Sequence, residues 1–252
     1  MEYRVVVAED EPLLLHYIIK KIEELDLGFK VIGSAQTGIQ AYELIASSMP
    51  DVLITDIRMP VMNGLQLIEK VRNLNPDIDC IILSGYSEFD YARQAIHLQV
   101  TEYLLKPVNI KALRTTFQKL KEKYEKSQAE IEESLPETIP AGGENPVQMH
   151  ARLVHDYIDS HYTETVNFNL LAQKLNYSPS YLTRIFTAAY DTSPAKYLIG
   201  LRMKKAMDLL RNHPELSVHD VGERTGYPDQ SYFSKAFKHY TGMSPQKYRE
   251  GE

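Results

Sequence analysis

Short apolar runs alternate with helical patterns over about the first 125 residues of the chain. Between the runs, apolar residues recur at three- and four-residue spacing, as at Leu14, Ile18, Ile22 and Leu25, which is the period of an amphipathic helix. The runs are apolar throughout, which indicates strands of a parallel sheet that is covered on both faces. The five predicted strands are YRVVVA (3–8), FKVIGSA (29–35), DVLIT (51–55), DCIILS (79–84) and TEYLL (101–105).

The pattern changes after residue 126. Residues 127–147 contain three prolines, two adjacent glycines, five acidic residues and no basic residue, which predicts a linker without a core. From there the pattern is helical to the end of the chain. We therefore predict an α/β doubly wound domain with a five-stranded parallel sheet (1–126), an acidic linker (127–147) and an all-α domain (148–252).

The all-α domain contains an internal repeat at an offset of 51 residues. The segment YLTR at 181–184 aligns with YFSK at 232–235, and SPAKY at 193–197 aligns with SPQKY at 244–248. Because size and polarity match position by position, one fold unit occurs twice.

Each copy of the repeat predicts two short helices joined by a tight turn, which is a helix-turn-helix. Ser178 followed by Pro179 starts the second helix of the first copy, and Asp229 caps its counterpart. Arginine and glutamine on such a helix suit base edges in the major groove, and lysine suits phosphates. The residues expected to face DNA are Ser180, Thr183, Arg184 and Thr187 in the first copy, and Gln230, Ser231, Ser234, Lys235 and Lys238 in the second.

The formal net charge of −6 argues weakly against a nucleic-acid partner, but the charge is uneven. Residues 1–127 carry 15 basic against 18 acidic residues, whereas residues 147–252 carry 13 basic against 11 acidic residues. Only the C-terminal part is therefore a candidate polyanion binder, through local clustering.

Cysteine and apolar content exclude other classes of protein. The single cysteine, Cys80, lies in an apolar run, so neither a disulfide framework nor a cysteine zinc site is possible. No apolar run approaches the roughly 20 residues of a membrane span, and the N-terminus has no signal-peptide pattern. We expect a cytoplasmic protein without a membrane partner.

Polar residues stand at the carboxyl ends of four predicted strands: Glu9 and Asp10, Asp56, Ser84 and Lys106. In a parallel sheet these ends meet at one edge, where ligands bind. Three carboxylates together require a cation, and oxygen ligands of this kind suit Mg²⁺. A carboxylate in this position can attack a phosphoryl donor, while the metal and the lysine neutralise the charge on the transferring group.

Four segments resemble the receiver domain of two-component response regulators: MEYRVVVAEDEPLLL, TDIRMPVMNGLQLIEKVR, IILSGYSEF and YLLKPV. The resemblance covers residues 1 to about 125 and implies a flavodoxin-like, CheY-like fold. It implies that Asp56 is the phosphoacceptor, and that a sensor histidine kinase is the donor. It further implies that Glu9, Asp10, Asp56 and the backbone carbonyl of Arg58 bind Mg²⁺.

The same resemblance assigns a switch. Ser84 would turn toward the phosphoryl group, Tyr103 would swing inward with it, and Lys106 would contact the phosphate. The Lys106–Pro107 bond is expected to be cis. Two departures are small: Glu9 replaces the more common aspartate, and serine replaces threonine at position 84.

The segment GYPDQSYFSKAFKHYTGMSPQKYR resembles the signature of AraC-type regulators, and the resemblance runs from about residue 147 to residue 249. It implies sequence-specific binding to the major groove of double-stranded DNA, with RNA polymerase as a further candidate partner. Asp191 stands where glycine is more common, but aspartate tolerates the left-handed backbone conformation better than most residues.

Together these features predict a phosphorylation-dependent DNA-binding response regulator. The protein would not be an enzyme, since the receiver catalyses only its own aspartyl phosphotransfer and dephosphorylation. One alternative is an adaptor whose helical domain binds a protein, against which the outward basic residues argue. Another is a phosphate-ester hydrolase, for which a separate general base is missing.

Apolar residues from Ile110 to Ile131 recur at alternating three- and four-residue spacing. Either Ile110–Leu120 pack on the sheet and the helix then frays, or the helix extends and pairs with a second copy. We expect phosphorylation to promote a homodimer.

Overall fold

The computed structural model describes residues 2–85, 89–134 and 146–251, which form two compact units. The sheet unit comprises the described residues up to 134 together with Asn167–Leu182. The helical unit comprises the described residues 146–166 and 183–251.

The sheet unit contains five parallel strands in the order β2-β1-β3-β4-β5. β3 and β4 are buried along their whole length, as the uninterrupted apolar runs predict, and Cys80 is a core residue of β4. The predicted fold class is confirmed, with strand ends that shift by one residue at β3 and β5. The strands are β1 (Tyr3–Ala8), β2 (Phe29–Ala35), β3 (Val52–Asp56), β4 (Asp79–Ser84) and β5 (Glu102–Leu105).

Helices cover the sheet because each presents an apolar stripe to it. Asn63 begins α3 with a capping box, in which its side chain and that of Gln66 each accept a backbone N–H of the other residue. The helices of this part of the chain are α1 (Pro12–Glu23), α2 (Gly38–Ser48), α3 (Gly64–Leu74), α4 (Phe89–His97) and α5 (Ile110–Ser134).

α5 differs from both sequence-based interpretations. Leu113, Phe117, Leu120, Tyr124 and Ile131 are buried, so their apolar stripe packs within the chain, yet the helix continues without fraying to Ser134. The first eight residues of the predicted linker, 127–134, are therefore helical. The buried side chain of Ile131 stabilises this end of α5. Residues 135–145 of the linker lie outside the described residues, and the predicted domain limits stay predictions.

The remaining elements are helices, with two helix-turn-helix units. They are α6 (Pro146–His161), α7 (Phe168–Lys174), α8 (Pro179–Tyr190), α9 (Pro194–Asn212), α10 (Val218–Arg224), α11 (Gln230–Thr241) and α12 (Pro245–Glu250). The first unit is α7–α8 and the second is α10–α11. The division between the compact units falls within α8.

The two turns have equivalent backbones. Asn176 and Gly226 both adopt positive φ, at 57° and 85°, and the tyrosine after each donates its N–H to a carbonyl of the preceding helix at 2.8 Å. Asp191 has φ 54°, so it ends α8 in the left-handed conformation that Gly242 adopts after α11, as predicted. The second turn is one residue longer, since five residues separate α10 from α11 and four separate α7 from α8.

A buried arginine organises the helical unit. Arg202 on α9 donates from Nε to the carbonyl of Tyr162 at 2.6 Å and from Nη2 to that of Glu164 at 2.7 Å. Its guanidinium also lies over the ring of Tyr227, in the middle of the second turn. Arg202 therefore joins the segment after α6 to the second helix-turn-helix. Within the described part of the chain, every helix is too short or too polar to cross a bilayer.

Candidate functional site

Acidic and basic side chains converge at the carboxyl edge of the sheet. The Lys106 ammonium lies 2.7 Å from Glu9 Oε2 and 3.0 Å from Asp56 Oδ2. Carboxylate oxygens of Glu9, Asp10 and Asp56 all lie within 4.8 Å of one another. The edge therefore brings together four of the residues that the sequence assigned to one site.

Strand register produces this convergence. Ala8, just before Glu9, pairs with Thr55, just before Asp56, and Ser84 pairs with Leu105, just before Lys106. The backbone N–H of Lys106 also donates to the carbonyl of Ser84 at 2.7 Å, and the Lys106–Pro107 peptide bond is cis as expected.

Asp56 is held by the first turn of α3 as well as by its strand. The residue is 7% exposed, and its Oδ1 accepts the backbone N–H of Ile57 at 2.7 Å. The N–H of Gly64 donates to the carbonyl of Ile57 at 2.9 Å, so α3 begins directly beside Asp56. A Cβ atom on Gly64 would stand 2.0 Å from the Asp56 carbonyl oxygen, which only glycine permits.

The cluster carries uncompensated negative charge, because three carboxylates face one ammonium group. Burial raises the pKa of Glu9, and the charge of Asp56 adds to this, while Lys106 opposes both. Burial acts to lower the pKa of Lys106, but its bonds to Glu9 and Asp56 outweigh burial and raise it. Hard oxygen donors with two surplus negative charges match a small divalent cation, so the donor set fits Mg²⁺.

A cavity of about 180 Å³ opens beside Asp56. Arg58, Ser84 and Gly85 line it, and an added Cβ on Gly85 would meet no atom within 4 Å. Tyr91 of α4 also lines the cavity, a position that sequence reasoning missed because no strand-end pattern marks it. Tyr103 is half-buried and packs against the core of the sheet.

The predicted DNA-facing residues lie on the second helices of the two helix-turn-helix units. Leu182, Ile185 and Phe186 bury the opposite face of α8, and Phe233 and Phe237 bury that of α11. The outward set is exposed except for two half-buried positions. The exposed residues are Ser180, Arg184, Thr187, Gln230, Ser231, Lys235 and Lys238, and the half-buried ones are Thr183 and Ser234.

The starts of these helices follow the predicted caps. The Ser178 hydroxyl accepts the N–H of Tyr181 at 3.2 Å, and the Asp229 carboxylate accepts the N–H of Tyr232 at 2.6 Å. The Thr187 hydroxyl donates to the carbonyl of Thr183 at 2.7 Å, so its hydrogen is already used within α8.

Two family models match the chain. Residues 5–118 match the response regulator receiver domain, and residues 171–251 match a helix-turn-helix domain. The solved REC domain of AraT, a response regulator from Geobacillus stearothermophilus, is 39% identical, covers 51% of this chain and 99% of its own, and has a TM-score of 0.48.

Two curated relatives align over nearly the whole chain. Transcriptional regulatory protein HptR of Staphylococcus aureus is 30% identical, and the alignment covers 98% of each chain. The uncharacterized transcriptional regulatory protein YesN of Bacillus subtilis is 26% identical, with 98% of this chain and 97% of the relative covered. Since both domain types and the full-length alignment agree, the chain belongs to the response regulators that combine a receiver domain with a helix-turn-helix domain in transcriptional regulatory proteins.

Proposed function

We propose that this transcriptional regulator accepts a phosphoryl group on Asp56 from a sensor histidine kinase and then controls transcription by sequence-specific DNA binding. The observation that carries the proposal is the convergence of Glu9, Asp10, Asp56 and Lys106 at the carboxyl edge of the sheet. The Ile57 N–H donates to Asp56 Oδ1, and Oδ2, which Lys106 contacts at 3.0 Å, would attack the phosphorus atom as the bond between phosphorus and the histidine nitrogen of the kinase breaks.

Glu9, Asp10, Asp56 and the backbone carbonyl of Arg58 would hold Mg²⁺. When bound, the ion neutralises negative charge on the transferring group. Lys106 contributes its ammonium, which lies 2.7 Å from Glu9 Oε2 and 3.0 Å from Asp56 Oδ2. The same groups support hydrolysis of the aspartyl phosphate, so the chain would catalyse only its own phosphorylation and dephosphorylation.

Ser84 and Tyr103 would convert phosphorylation into a change of surface. The Ser84 hydroxyl lines the cavity beside Asp56 and can donate to a phosphoryl oxygen. A phosphoryl group adds about −1.5 to −2 charge, which attracts this donor inward and frees space for the Tyr103 ring.

Labelling by acetyl phosphate tests the acceptor. With Mg²⁺ present, the wild-type chain should gain one phosphoryl group, and Asp56→Asn should gain none. Asp26→Asn is the matched control, since Asp26 is exposed and asparagine also tolerates its φ of 53°. Lys106→Ala should accept the phosphoryl group weakly or should pass the effect of phosphorylation on poorly, because Lys106 contributes a charge contact and not the nucleophile. Undiminished labelling of Asp56→Asn would contradict the assignment.

The outward residues of α8 and α11 would read the major groove. Arg184→Ala should weaken specific binding by about 1–3 kcal/mol if it contacts a guanine edge. Lys238→Ala should weaken binding to all sequences and reduce the salt slope by about 0.9 if it contacts one phosphate. Lys30→Ala, at an exposed receiver position, is the control and should change neither. Equal losses on specific and random DNA for Arg184→Ala would argue against base contact there.

The linking helix predicts the form of the DNA site. α9 has 19 residues, which span about 28 Å at 1.5 Å per residue. When the width of the two helix-turn-helix units is added to this length, their second helices, α8 and α11, would contact major-groove segments about 10 base pairs apart. Because the two outward sets differ, one chain should protect an asymmetric site, and a footprint confined to one segment would show that only one unit reads DNA.

Phosphorylation would also promote a homodimer, and the DNA-bound protein would act on RNA polymerase. The stripe along α5 is buried within the chain, so a dimer needs another surface. Ile96 on α4 and Leu105 on β5 are exposed apolar side chains and supply one. An unchanged sedimentation mass after phosphorylation, at micromolar concentration, would exclude dimer control.

A further inference from the structure

A buried carboxylate lies at the edge of the sheet opposite the phosphorylation site. Asp51 directly precedes β3 and is 5% exposed. Its Oδ2 accepts the backbone N–H of Arg4 at 2.7 Å. Its Oδ1 accepts the side-chain amides of Asn169 at 2.9 Å and Asn167 at 3.3 Å, from residues 118 and 116 positions away along the chain. Asp51 thus joins the sheet to the beginning of α7.

The two asparagines are shaped for this contact. The Asn167 side chain caps α7 by accepting the N–H groups of Asn169 and Leu170, both at 3.0 Å, which directs its amide nitrogen to Asp51. The buried Asn169 nitrogen donates to Asp51 and also to the carbonyl of Met49 at 2.9 Å. Because an amide nitrogen carries two hydrogens, Asn169 uses its full donor capacity on the end of α2 and the start of β3.

Apolar packing completes the attachment. Phe168, Leu170 and Leu171 of α7 are buried, and α7 packs against α5, whose Tyr124 and Ile131 are buried as well. The first helix of the first helix-turn-helix therefore belongs to the sheet unit. In the second helix-turn-helix, by contrast, the corresponding helix α10 packs against α9 and α11.

The polar contact is sensitive to the chemistry of its donors. Burial raises the pKa of Asp51, and the N–H donors of Arg4, Asn169 and Asn167 oppose this rise. A buried carboxylate that loses its donors is strongly unfavourable, since the desolvated charge remains without compensation. Replacing an asparagine by aspartate keeps the shape of the side chain but turns a donor into a second negative charge.

We propose that Asp51, Asn167 and Asn169 form a latch that holds the first helix-turn-helix against the receiver and restrains its binding to DNA in the unphosphorylated chain. The inference rests on the proposed DNA-binding function and adds its control. While the latch is closed, the start of α8, including Ser180, remains part of the sheet unit. Residues 1–127 carry 18 acidic against 15 basic residues, and this net negative charge disfavours the approach of DNA phosphates. The latch and the phosphoacceptor occupy opposite ends of β3, about 16 Å apart at 3.3 Å per residue.

The test compares full-length Asn169→Asp and Asn167→Asp with wild type. Asn167→Asp keeps an oxygen that caps α7, loses the donor to Asp51 and adds a negative charge beside it. Asn212→Asp is the matched control, because Asn212 donates to Asp208 at 2.7 Å in an exposed pair within α9. The probes are amide hydrogen exchange of 167–175 and the affinity for a duplex selected by the phosphorylated wild-type chain.

Both latch variants should exchange the α7 amides at least about tenfold faster and, unphosphorylated, bind the duplex about tenfold more tightly, since each loses one hydrogen bond to the charged Asp51 and places a second carboxylate beside it. Asn212→Asp should change neither value. Unchanged exchange of α7, or faster exchange with equal or weaker DNA binding, would overturn the latch. Failure of the proposed function would look different, because every protein, including phosphorylated wild type, would then fail to bind DNA.

Discussion

Replacing Gly64 by alanine tests how tightly α3 is joined to Asp56, the proposed phosphoacceptor. Gly64 is the first residue of α3, and an added Cβ would stand 2.0 Å from the carbonyl oxygen of Asp56 and 3.0 Å from the Thr55 hydroxyl. Ordinary contacts begin at 3.4 Å. The obstacle is backbone and not the end of a flexible side chain, so either β3 or the first turn of α3 must move.

The expected cost follows from these distances. Overpacking of a well-packed core costs about 1–3 kcal/mol, and occasionally more. Moving α3 also disturbs the bond from the Gly64 N–H to the Ile57 carbonyl, which contributes about 1 kcal/mol. We therefore expect Gly64→Ala to lower the free energy of unfolding of the receiver by about 3 kcal/mol. Acetyl phosphate labelling should fall as well, since the Asp56 backbone is displaced.

Urea unfolding of the full chain, with amide exchange of β1 and β3 as the probe, measures this loss. For a urea m-value of about 2 kcal/mol per molar, the midpoint should fall by about 1.5 M. Gly85→Ala is the control, because its added Cβ meets no atom within 4 Å and should leave the midpoint almost unchanged. A Gly64→Ala midpoint within about 0.25 M of wild type, equivalent to roughly 0.5 kcal/mol, would refute the steric reasoning.

Three further substitutions test other parts of the fold. Val61 is 85% exposed and has φ 67°, so Val61→Gly should relieve backbone strain and raise the free energy of unfolding by about 0.5–1 kcal/mol. A lower urea midpoint than that of wild type would contradict this. Arg202→Met leaves two buried carbonyls without their donor and should destabilise the helical unit by about 3 kcal/mol, measured by amide exchange of α9 and α10; unchanged exchange would argue against its organising role. Burial raises the pKa of Tyr124 well above its usual value, so its stabilisation is present below about pH 10 and is lost as the pH rises through the folded pKa. Tyr124→Phe, which removes the bond to Asp79, should cost about 1–2 kcal/mol at pH 7, and the difference from wild type in urea unfolding should shrink above pH 10; a constant difference would contradict the linkage.

Local signals in the sequence determined most of the architecture. Apolar runs identified the strands, because a strand buried on both faces must be apolar throughout. Since parallel strands end at one edge, the acids after β1 and β3 could be assigned to a common site before any distance was known. Ser178 and Asp229 likewise identified the starts of α8 and α11, because capping depends on residues only three positions apart.

Only the tertiary structure decided which distant residues share a contact. Nothing local marks Asp51 as the acceptor for Asn167 and Asn169, since these residues meet through folding across more than 110 positions. Residues 127–134 were predicted as linker from their acidic composition, yet burial of Ile131 holds them in α5. Tyr91 reaches the cavity beside Asp56 only because α4 packs there. In each case the deciding energy is burial or a hydrogen bond between segments far apart in the chain, which composition and periodicity do not encode.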